Sequence, residues 1–347
     1  MSEAARLTVG VGFEDVSDGD LDSLADRLDA VGAGGVTIAV GRPDWVAFEW
    51  PEHPETEATS SDRVRRAVDV LGQGPKGQQR EVTLVIDVLA PRLIEEHPDE
   101  AAVGANGKES GLFASPAALR DGVIGSRIVE LCGVTAERYR PDRIALTELI
   151  LDQSFSDADK RVYRQITGRP DWPRDHKGRI DTEHRSLATF RSEVAADLVE
   201  RCATAAEKHG VRTDVDVRAA WQDPTGNRAE SGHDYRLLLT RADHLTVWNY
   251  FALNDAEPAV SEDLTAGLRT SLGDRIGQVT MSVGLWADGD GDAATEDDKE
   301  NAVLPPAAMA EGVRASLTNG VTTVSVTPAS RMTEEHWAAL AGLGFQP

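Results

Sequence analysis

Short runs of β-branched and other apolar residues alternate along the chain with segments whose apolar residues have helical spacing. In the first helical segment, Leu21, Leu24, Leu28 and Val31 fall on one face of a helix. This alternation of strand and helix predicts βαβ units and a parallel sheet. Eight strands are predicted, at residues 7–13, 35–41, 81–89, 143–150, 212–218, 244–251, 278–285 and 321–327.

Eight βα units are the number that closes a TIM barrel, and 347 residues, of which 40% are hydrophobic, suffice for one large core. An open doubly wound sheet usually has a Gly-rich phosphate turn after its first strand, which residues 10–15 do not form. A solenoid requires a repeated motif, and these units share none. We therefore expect the α/β fold class, with residues 1–347 forming a single (β/α)8 TIM barrel domain.

The loops after the second, third and fourth strands are much longer than the turns that follow the helices. They span residues 42–61, 90–115 and 151–185, whereas residues 32–35 make up a whole helix-to-strand turn. In a TIM barrel the βα loops build the active site at the C-terminal ends of the strands. We expect these three loops to mark the half of the mouth that holds the cleft, with residues 151–185 forming a lid or one wall of it.

The chain has 36 Lys and Arg residues against 59 Asp and Glu residues, which gives a formal net charge of −23. Nucleic acid and anionic membranes are disfavoured as partners because binding to either requires a basic protein surface. The sequence has no apolar run of membrane-helix length and starts without an export signal. We expect a neutral or cationic ligand, no cofactor, and a protein that is cytoplasmic or secreted with its signal removed.

Cysteine spacing and one acidic segment bear on metal binding. Cys132 and Cys202 lie in predicted helices without the spacing of a zinc site, so we expect buried thiols. Residues 288–301 are acidic and contain glycine, which is typical of a hydrophilic loop and makes a calcium site there a hypothesis. The leading expectation is that the protein binds no metal.

Six of the seven Trp residues lie in predicted βα loops or near the ends of strands. An indole ring can stack on the C–H face of a sugar while neighbouring polar groups bond the sugar hydroxyls. Long loops also use Trp to anchor small cores of their own. Both roles stay open for Trp45, Trp50, Trp172, Trp221, Trp248 and Trp286.

Alternation along the fourth strand indicates which of its residues face the barrel interior. Glu148 shares a face with Ile144 and Leu146, which places a carboxylate at the mouth above two apolar layers. An acid at the end of a barrel strand, followed by a long loop, is a favoured catalytic position. Glu148 is therefore the first catalytic candidate.

Neighbouring strands supply further polar candidates at the same rim. Asp214, Asp216 and Arg218 share one face of the fifth strand, and Asn249 continues the apolar face of the sixth. Asp87 ends the third strand, but alternation leaves its direction open. Because buried Asp and Arg residues also pair in structural networks, Asp214 has a structural role as its alternative.

Residues 81–152 carry a resemblance to a known group of proteins. The run Pro91 to Asp99, the segment Ser115 to Asp121 and the run Arg138 to Ile144 before a strand-end acid resemble bacterial glycoside-hydrolase-like barrels. A more distant similarity is to the hydrolase domain of poly-N-acetylglucosamine deacetylases. The resemblance implies a pair of acids after the fourth strand. Glu148 corresponds to the first of them and Leu149 replaces the second, so Asp152 is the loop candidate for the missing carboxylate.

These features favour hydrolysis of a glycosidic bond in a poly- or oligosaccharide by two carboxyl groups, Glu148 and Asp216. We expect Glu148 to be the acid, in apolar surroundings made by Trp172 or Trp248, and Arg218 to keep Asp216 ionised. The first alternative is a carbohydrate-binding barrel that has lost catalysis. The second is a metal-dependent lyase or isomerase that uses Glu148, Asp214, Asp216 and His244.

The remaining candidates are expected to contact the saccharide. They lie in βα loops or near the C-terminal ends of the predicted strands, where side chains of a barrel meet a ligand. The candidate substrate-binding residues are Asp15, Arg42, Trp45, Asp87, Asp152, Trp172, Arg218, Trp221, Asn249, Tyr250 and Trp286.

Overall fold

The computed structural model describes residues 5–287 and 302–346, and within these ranges eight parallel strands close into a barrel surrounded by helices. The strands follow one another in chain order, and the first pairs with both the second and the last. The predicted TIM barrel is confirmed, and every predicted strand overlaps an observed one. The barrel strands are β1 (Arg6–Val11), β2 (Gly35–Arg42), β5 (Glu81–Asp87), β8 (Arg143–Thr147), β9 (Arg212–Arg218), β10 (His244–Asn249), β11 (Val279–Gly284) and β12 (Thr323–Thr327).

Short strands lie in the loops after β2 and β5. In the first loop, β3 (Trp45–Val46) and β4 (Glu57–Ala58) extend the edge of β2, and in the second, β6 (Ala101–Val103) pairs with β7 (Glu109–Ala114). The α-helices in the described ranges are α1 (Phe13–Asp18), α2 (Leu21–Ala30), α3 (Arg63–Leu71), α4 (Pro91–Glu96), α5 (Pro116–Asp121), α6 (Val123–Tyr139), α7 (Asp157–Thr167), α8 (Arg185–Glu207), α9 (Tyr235–Leu238), α10 (Val260–Leu272), α11 (Pro306–Ser316) and α12 (Glu334–Ala341).

Short polar side chains determine where several helices begin. The Asp20 carboxylate accepts a hydrogen bond from the Ser23 amide at 3.1 Å, which satisfies one free N–H group at the start of α2. Ser156 accepts from the Asp159 amide at 3.0 Å and so caps α7 in the same way. The first cap marks the start of a helix that covers the barrel, and the second marks the start of a helix within the long loop after β8.

The strands place their large apolar side chains outward, under the helices. Ile144 and Leu146 are 1% and 0% exposed in the shell between β8 and the helices, while Ala145 and Thr147 face the barrel interior. The expectation that Ile144 and Leu146 form apolar layers inside the barrel is therefore wrong. The outward face must be apolar because helices cover it, whereas the inward face carries small residues.

The interior of this barrel is hollow. TIM barrels usually fill this space with bulky branched side chains, but here most inward positions carry Thr, Ser, Ala or Gly. The small inward residues are Thr8, Gly10, Thr37, Ala39, Thr83, Ala145, Thr147, Thr246, Thr280, Ser282, Thr323, Ser325 and Thr327.

Charged residues close the interior at the N-terminal ends of the strands. Glu81 on β5 forms ion pairs with Arg6 and Arg143, and the Arg212 Nη2 atom lies 3.4 Å from its Oε1 atom. On β9, Asp214 Oδ2 lies 3.6 Å from Arg143 Nη1 and accepts a hydrogen bond from Thr246 at 3.0 Å. The interior therefore opens toward the C-terminal rim, where barrel chemistry is expected.

Three sequence expectations concern regions away from this rim. Cys132 on α6 and Cys202 on α8 are buried and hydrogen-bonded to each other, which confirms the expectation of buried thiols. The calcium hypothesis concerns residues 288–301, which lie outside the described ranges. No helix in the described part of the chain is long and apolar enough to cross a membrane.

Candidate active site

A cavity of about 930 Å³ occupies the barrel axis and opens among the βα loops. Its rim is built by the loops after β1, β10, β11 and β12, which contribute Phe13, Tyr250, Leu253, Trp286 and Arg331 among others. From the three long loops after β2, β5 and β8, only Glu148 lines it. The prediction that these long loops mark the half of the mouth that holds the cleft is therefore wrong for this cavity.

Glu148 lies in the cavity because the backbone turns at this residue. Its φ angle is +60°, in the left-handed region that few residues other than Gly adopt. The turn breaks the alternation of β8, so Glu148 lines the same cavity as Ala145 and Thr147. Leu149, which replaces the second acid of the resembled family, is 1% exposed in the apolar shell.

His233 holds the strained segment in place from the loop after β9. Its Nε2 atom lies 2.9 Å from the Leu149 carbonyl oxygen, and its Nδ1 atom accepts a hydrogen bond from the Arg218 amide at 3.0 Å. Burial lowers the pKa of His233 to about 4, so the ring is neutral and carries its proton on Nε2. Left-handed strain of this kind persists where the surroundings over-determine the backbone. No pattern in the sequence predicted this role of His233.

Asp216 projects from the middle of β9 into the same cavity. The Thr147 hydroxyl and the Trp248 indole donate hydrogen bonds to its carboxylate. Burial, and secondarily the charge of Asp214 two residues earlier on the same face, raise the pKa of Asp216 to about 7. Its remaining accessible surface faces the cavity. Asp216 is therefore a carboxyl group that can hold a proton near neutral pH.

The environment of Glu148 is different. Burial raises the pKa of Glu148, but the Arg218 guanidinium acts in the opposite direction. Arg218 itself lies outside the cavity lining and donates to Asp152 at 2.9 Å. The expectation that Arg218 keeps Asp216 ionised is wrong, because Arg218 favours the charged form of Glu148 instead. Asp152 is an exposed partner of Arg218 and does not line the cavity.

Asp87 is a third carboxyl group at this end of the barrel. Burial, together with the charge of Glu148, raises the pKa of Asp87 to about 7, and Arg42 opposes the shift. Its Oδ1 atom accepts a hydrogen bond from the Leu89 amide at 2.8 Å, and the residue does not line the cavity. Asp87 therefore responds to the charge of Glu148 but is not placed for contact with a ligand in the cavity.

Aromatic rings form one side of the upper cavity. Trp248 and Tyr250 are stacked with ring centroids 5.8 Å apart, and Trp286 lies 5.1 Å from Tyr250. Gly284 on β11 leaves no room for a side chain against the Tyr250 ring, so glycine at this position permits their close approach. The result is a continuous aromatic wall beside Asp216. A flat wall with carboxyl groups at its base has the composition of a saccharide site.

Comparison with solved structures shows that this barrel has the fold of known glycosidases. The chain is similar to the glycoside hydrolase domain of PgaB (BpsB) from Bordetella bronchiseptica, with a TM-score of 0.75, 14% identity and 99% of each chain covered. It is similar to the catalytic domain of beta-amylase from Paenibacillus polymyxa, with a TM-score of 0.63, 12% identity and 98% of each chain covered.

A third similar structure is beta-galactosidase from the psychrophilic Marinomonas ef1. Here the TM-score is 0.65 at 12% identity, and the match covers 97% of this chain and 58% of the other. No protein-family model matches the chain, and no curated protein matches it in sequence. At these identities the similarity establishes the fold alone. The resemblance to glycoside-hydrolase-like barrels that residues 81–152 indicated is confirmed as a similarity of the whole barrel fold.

Four of the predicted catalytic and substrate-binding residues line the cavity, namely Glu148, Asp216, Tyr250 and Trp286, and the further candidates Asp214 and Trp248 line it too. Asn249 does not, because it points outward and is fully buried. Its amide donates to Ser261 and Ser316 at 2.9 Å and joins β10 to the helices α10 and α11. The expectation that Asn249 faces the mouth is wrong because it rested on the apolar face of the strand pointing inward.

The other candidates belong to the loop structure around the cavity. Trp45 packs edge-on against Phe13, which lines the cavity, with centroids 5.2 Å apart. Arg42 forms an ion pair with Asp44 at 3.3 Å, and Asp15 accepts from the Gly12 amide at 3.1 Å. None of the candidates Asp15, Arg42, Trp45 and Trp221 lines the cavity.

Trp172 anchors the long loop after β8. It is 7% exposed and packs against Phe155, Tyr163 and Phe190, with ring centroids 4.6 to 6.1 Å away. It therefore makes no apolar surroundings for Glu148, contrary to expectation. Trp172 serves the internal core of residues 151–185, which is the alternative role that long loops give to Trp.

Trp172→Ala is expected to lower the free energy of unfolding by about 3–5 kcal/mol, because it removes a large buried side chain. Substrate affinity should be unchanged at temperatures where the variant stays folded. The matched variant Trp286→Ala should weaken saccharide binding with a smaller effect on stability. Urea denaturation measures the change in stability, and calorimetric titration measures the change in binding. Weakened binding by Trp172→Ala without loss of stability would indicate that Trp172 contacts the saccharide.

The geometry does not favour the hypothesis of a metal-dependent lyase or isomerase. Among residues 5–287 and 302–346, no three His, Cys, Asp or Glu side chains converge as metal ligands would. His244 pairs with Asp214 in the strand register, one layer below Asp216, and its Nε2 atom lies 2.8 Å from the Thr280 hydroxyl. The expected ligand set of Glu148, Asp214, Asp216 and His244 is thus spread along the axis.

Proposed function

We propose that this protein hydrolyses glycosidic bonds, with Asp216 as the proton donor and Glu148 as the ionised carboxylate. The observation that carries the proposal is that two carboxyl groups in one cavity have unequal environments. Asp216 is enclosed beside a second acid, whereas Glu148 experiences the positive charge of Arg218. Pairs of carboxyl groups whose surroundings separate their pKa values are the usual acid and base of a glycosidase.

The division of roles reverses the expectation from sequence, in which Glu148 was the acid. Asp216 donates its proton to the oxygen of the leaving group as the bond from that oxygen to the anomeric carbon breaks. Glu148 then stabilises the positive charge at that carbon, either as a nucleophile or as the base for a water molecule. The aromatic wall of Trp248, Tyr250 and Trp286 supports the glycoside beside these groups.

The pH dependence of hydrolysis tests this division. Asp216 must be protonated, so kcat/KM should fall as pH rises through about 7. Glu148 must be ionised, so kcat/KM should fall again as pH drops through its raised pKa. The profile is therefore expected to be bell-shaped with its maximum below neutrality. A rate that increases steadily above pH 8 would contradict Asp216 as the acid.

The Thr147 hydroxyl provides a finer control on the same profile. Its hydrogen bond favours the ionised form of Asp216, so Thr147→Val should move the alkaline limb to higher pH. Thr37→Val, which changes a hydroxyl on the inward face of β2, should leave the limb unchanged. The alternative function, saccharide binding without hydrolysis, predicts binding with no product at any pH.

A further inference from the structure

The cavity changes in chemical character from its depth to its rim. Along the barrel axis its walls carry the hydroxyl groups of Thr and Ser from seven of the eight barrel strands, among them Thr83, Thr246 and Ser325, together with charged residues at the N-terminal ends of the strands. Near the mouth, its lining includes the apolar side chains Phe13, Tyr250, Leu253, Trp286 and Val303, and the polar side chains Glu14, Ser330 and Arg331. A ligand that reaches Leu253, Trp286 and Val303 therefore meets an apolar surface there.

The apolar rim is exposed to an unusual degree. Leu253 and Val303 are 44% and 36% exposed, and in the described part of the chain only Leu112 and Val123 are comparable among large hydrophobic residues. Exposed apolar residues are ordinary when they are scattered singly. Two of them converging with Trp286 on the mouth of one cavity indicate a binding surface.

Backbone pairing holds this rim in position. Val303 pairs with Trp286 in an antiparallel bridge, and the Leu304 amide donates to the Leu285 carbonyl at 3.0 Å. Leu253 lies in a short helical turn, Phe251–Asn254, whose first residue Phe251 is 1% exposed and so anchors the turn. The apolar surface is therefore built by anchored segments on two neighbouring βα loops.

We propose that the preferred substrate is a glycoside whose leaving group is an apolar alkyl or aryl alcohol. The sugar occupies the hydroxyl-lined part of the cavity, and the leaving group lies on Leu253, Trp286 and Val303. On these three apolar side chains a second sugar would lose water from the hydroxyl groups that face them, whereas an apolar group gains from burial. This inference rests on the proposed function and specifies its substrate class.

The reaction is hydrolysis without any further reactant. Water adds across the bond between the anomeric carbon and the glycosidic oxygen. The proton of Asp216 goes to the departing oxygen, which gives the free alcohol. The hydroxyl of water joins the anomeric carbon, which gives the free sugar, and the other proton of water restores the acid.

Alkyl glycosides test the inference because methyl and hexyl alcohols are similar as leaving groups but differ in apolar surface. The probes are methyl and hexyl glycosides of glucose, galactose, fucose and N-acetylglucosamine, in both anomers, with the matching disaccharides. For the sugars that the protein cleaves, kcat/KM should be at least tenfold higher for the hexyl glycoside than for the methyl glycoside. The hexyl glycoside should also exceed the disaccharide.

Rim variants connect this preference to the proposed surface. Leu253→Asn should reduce the ratio of hexyl to methyl kcat/KM to below about one third of its original value. Leu112→Asn changes an equally exposed leucine on β7, outside the cavity lining, and should leave the ratio unchanged. The inference would be overturned by a hexyl-to-methyl ratio near one, by a preference for disaccharides, or by a ratio that Leu253→Asn does not change. None of these results would contradict glycoside hydrolysis itself.

A binding measurement separates this failure from failure of the proposed function. In Asp216→Asn, calorimetry should show tighter binding of the hexyl glycosides than of the methyl glycosides, and Leu253→Asn in that background should remove the difference. Selective hexyl binding without hydrolysis by the parent would overturn the enzyme assignment. Absence of both selective binding and hydrolysis would overturn both proposals.

Discussion

Asp216→Asn is expected to reduce hydrolysis of any glycoside that the protein cleaves by about 10²- to 10⁴-fold, because the amide cannot donate the catalytic proton. Substrate affinity should change little, since Asn keeps the shape of the side chain. The matched control is Asp87→Asn, which removes a carboxyl group with a similarly raised pKa that does not line the cavity. Comparable loss in both variants would contradict the assignment of Asp216 as the acid.

Asp216→Asn should also stabilise the fold above neutral pH. The folded-state pKa of Asp216 is raised to about 7 from 3.8, so the stability that the protonated group contributes is lost as pH rises through 7. Each pKa unit corresponds to about 1.4 kcal/mol. Asp216→Asn should therefore raise the melting temperature more at pH 8 than at pH 4, which scanning calorimetry measures. Lost activity combined with equal destabilisation at both pH values would point to a structural role.

Glu148→Gln is expected to abolish hydrolysis to a similar or greater degree, because Gln cannot supply the negative charge that the reacting carbon requires. Binding of the uncleaved glycoside should survive within about tenfold, since the cavity keeps its shape. Glu14 also lines the cavity, at its mouth, so Glu14→Gln is the matched control and should keep most of the activity. Steady-state kinetics compare the variants, and a full hydrolytic rate in Glu148→Gln would exclude this pair of carboxyl groups.

The barrel could be predicted from the sequence because its signals are local and repeated. Each strand contributes a short β-branched run, and each helix contributes apolar residues at three- and four-residue spacing. For β9 the predicted and observed bounds coincide, at Arg212–Arg218. Several other boundaries also coincide, such as the starts of β2, β5, β8 and β10, and the rest differ by one to three residues, as at the end of β8 after Thr147.

The direction of the strand faces could not be predicted by assuming an apolar interior. Helices cover the outside of every barrel strand, so an apolar face is required there, while a hollow interior accepts Thr and Ser. The alternating hydroxyl residues Thr246, Thr280 and Ser282 are visible in the sequence and are the signal that identifies the inward face. That signal also places Thr147 beside Asp216, a contact that the sequence analysis missed.

Glu148 was predicted at the mouth for a reason that the structure corrects. Strict alternation would place it on the outward face with Leu146, under the helices. The left-handed turn at Glu148, held through the Leu149 carbonyl by His233, moves it into the cavity. Because His233 is 84 residues away along the chain from Leu149, no local pattern could predict this contact.

Loop length was a poor guide to which loops build the site. The long loop of residues 151–185 uses Trp172 and its aromatic neighbours for its own core. The cavity instead opens among the loops after β1, β10, β11 and β12, where Tyr250 and Trp286 lie. Long loops need internal anchors, so their Trp residues are less informative than a Trp at the end of a strand.

Isotope incorporation from water tests the central claim most directly. The parent protein and the double variant Glu148→Gln/Asp216→Asn are incubated with the alkyl glycoside and disaccharide panel in ¹⁸O-labelled water, and the released sugars and alcohols are analysed by mass spectrometry. We expect free sugar and unlabelled alcohol from the parent, because the bond between the anomeric carbon and the glycosidic oxygen breaks, and neither product from the double variant. Saccharide binding without release of products by the parent, or equal release by both proteins, would contradict the proposed hydrolysis by these two carboxyl groups.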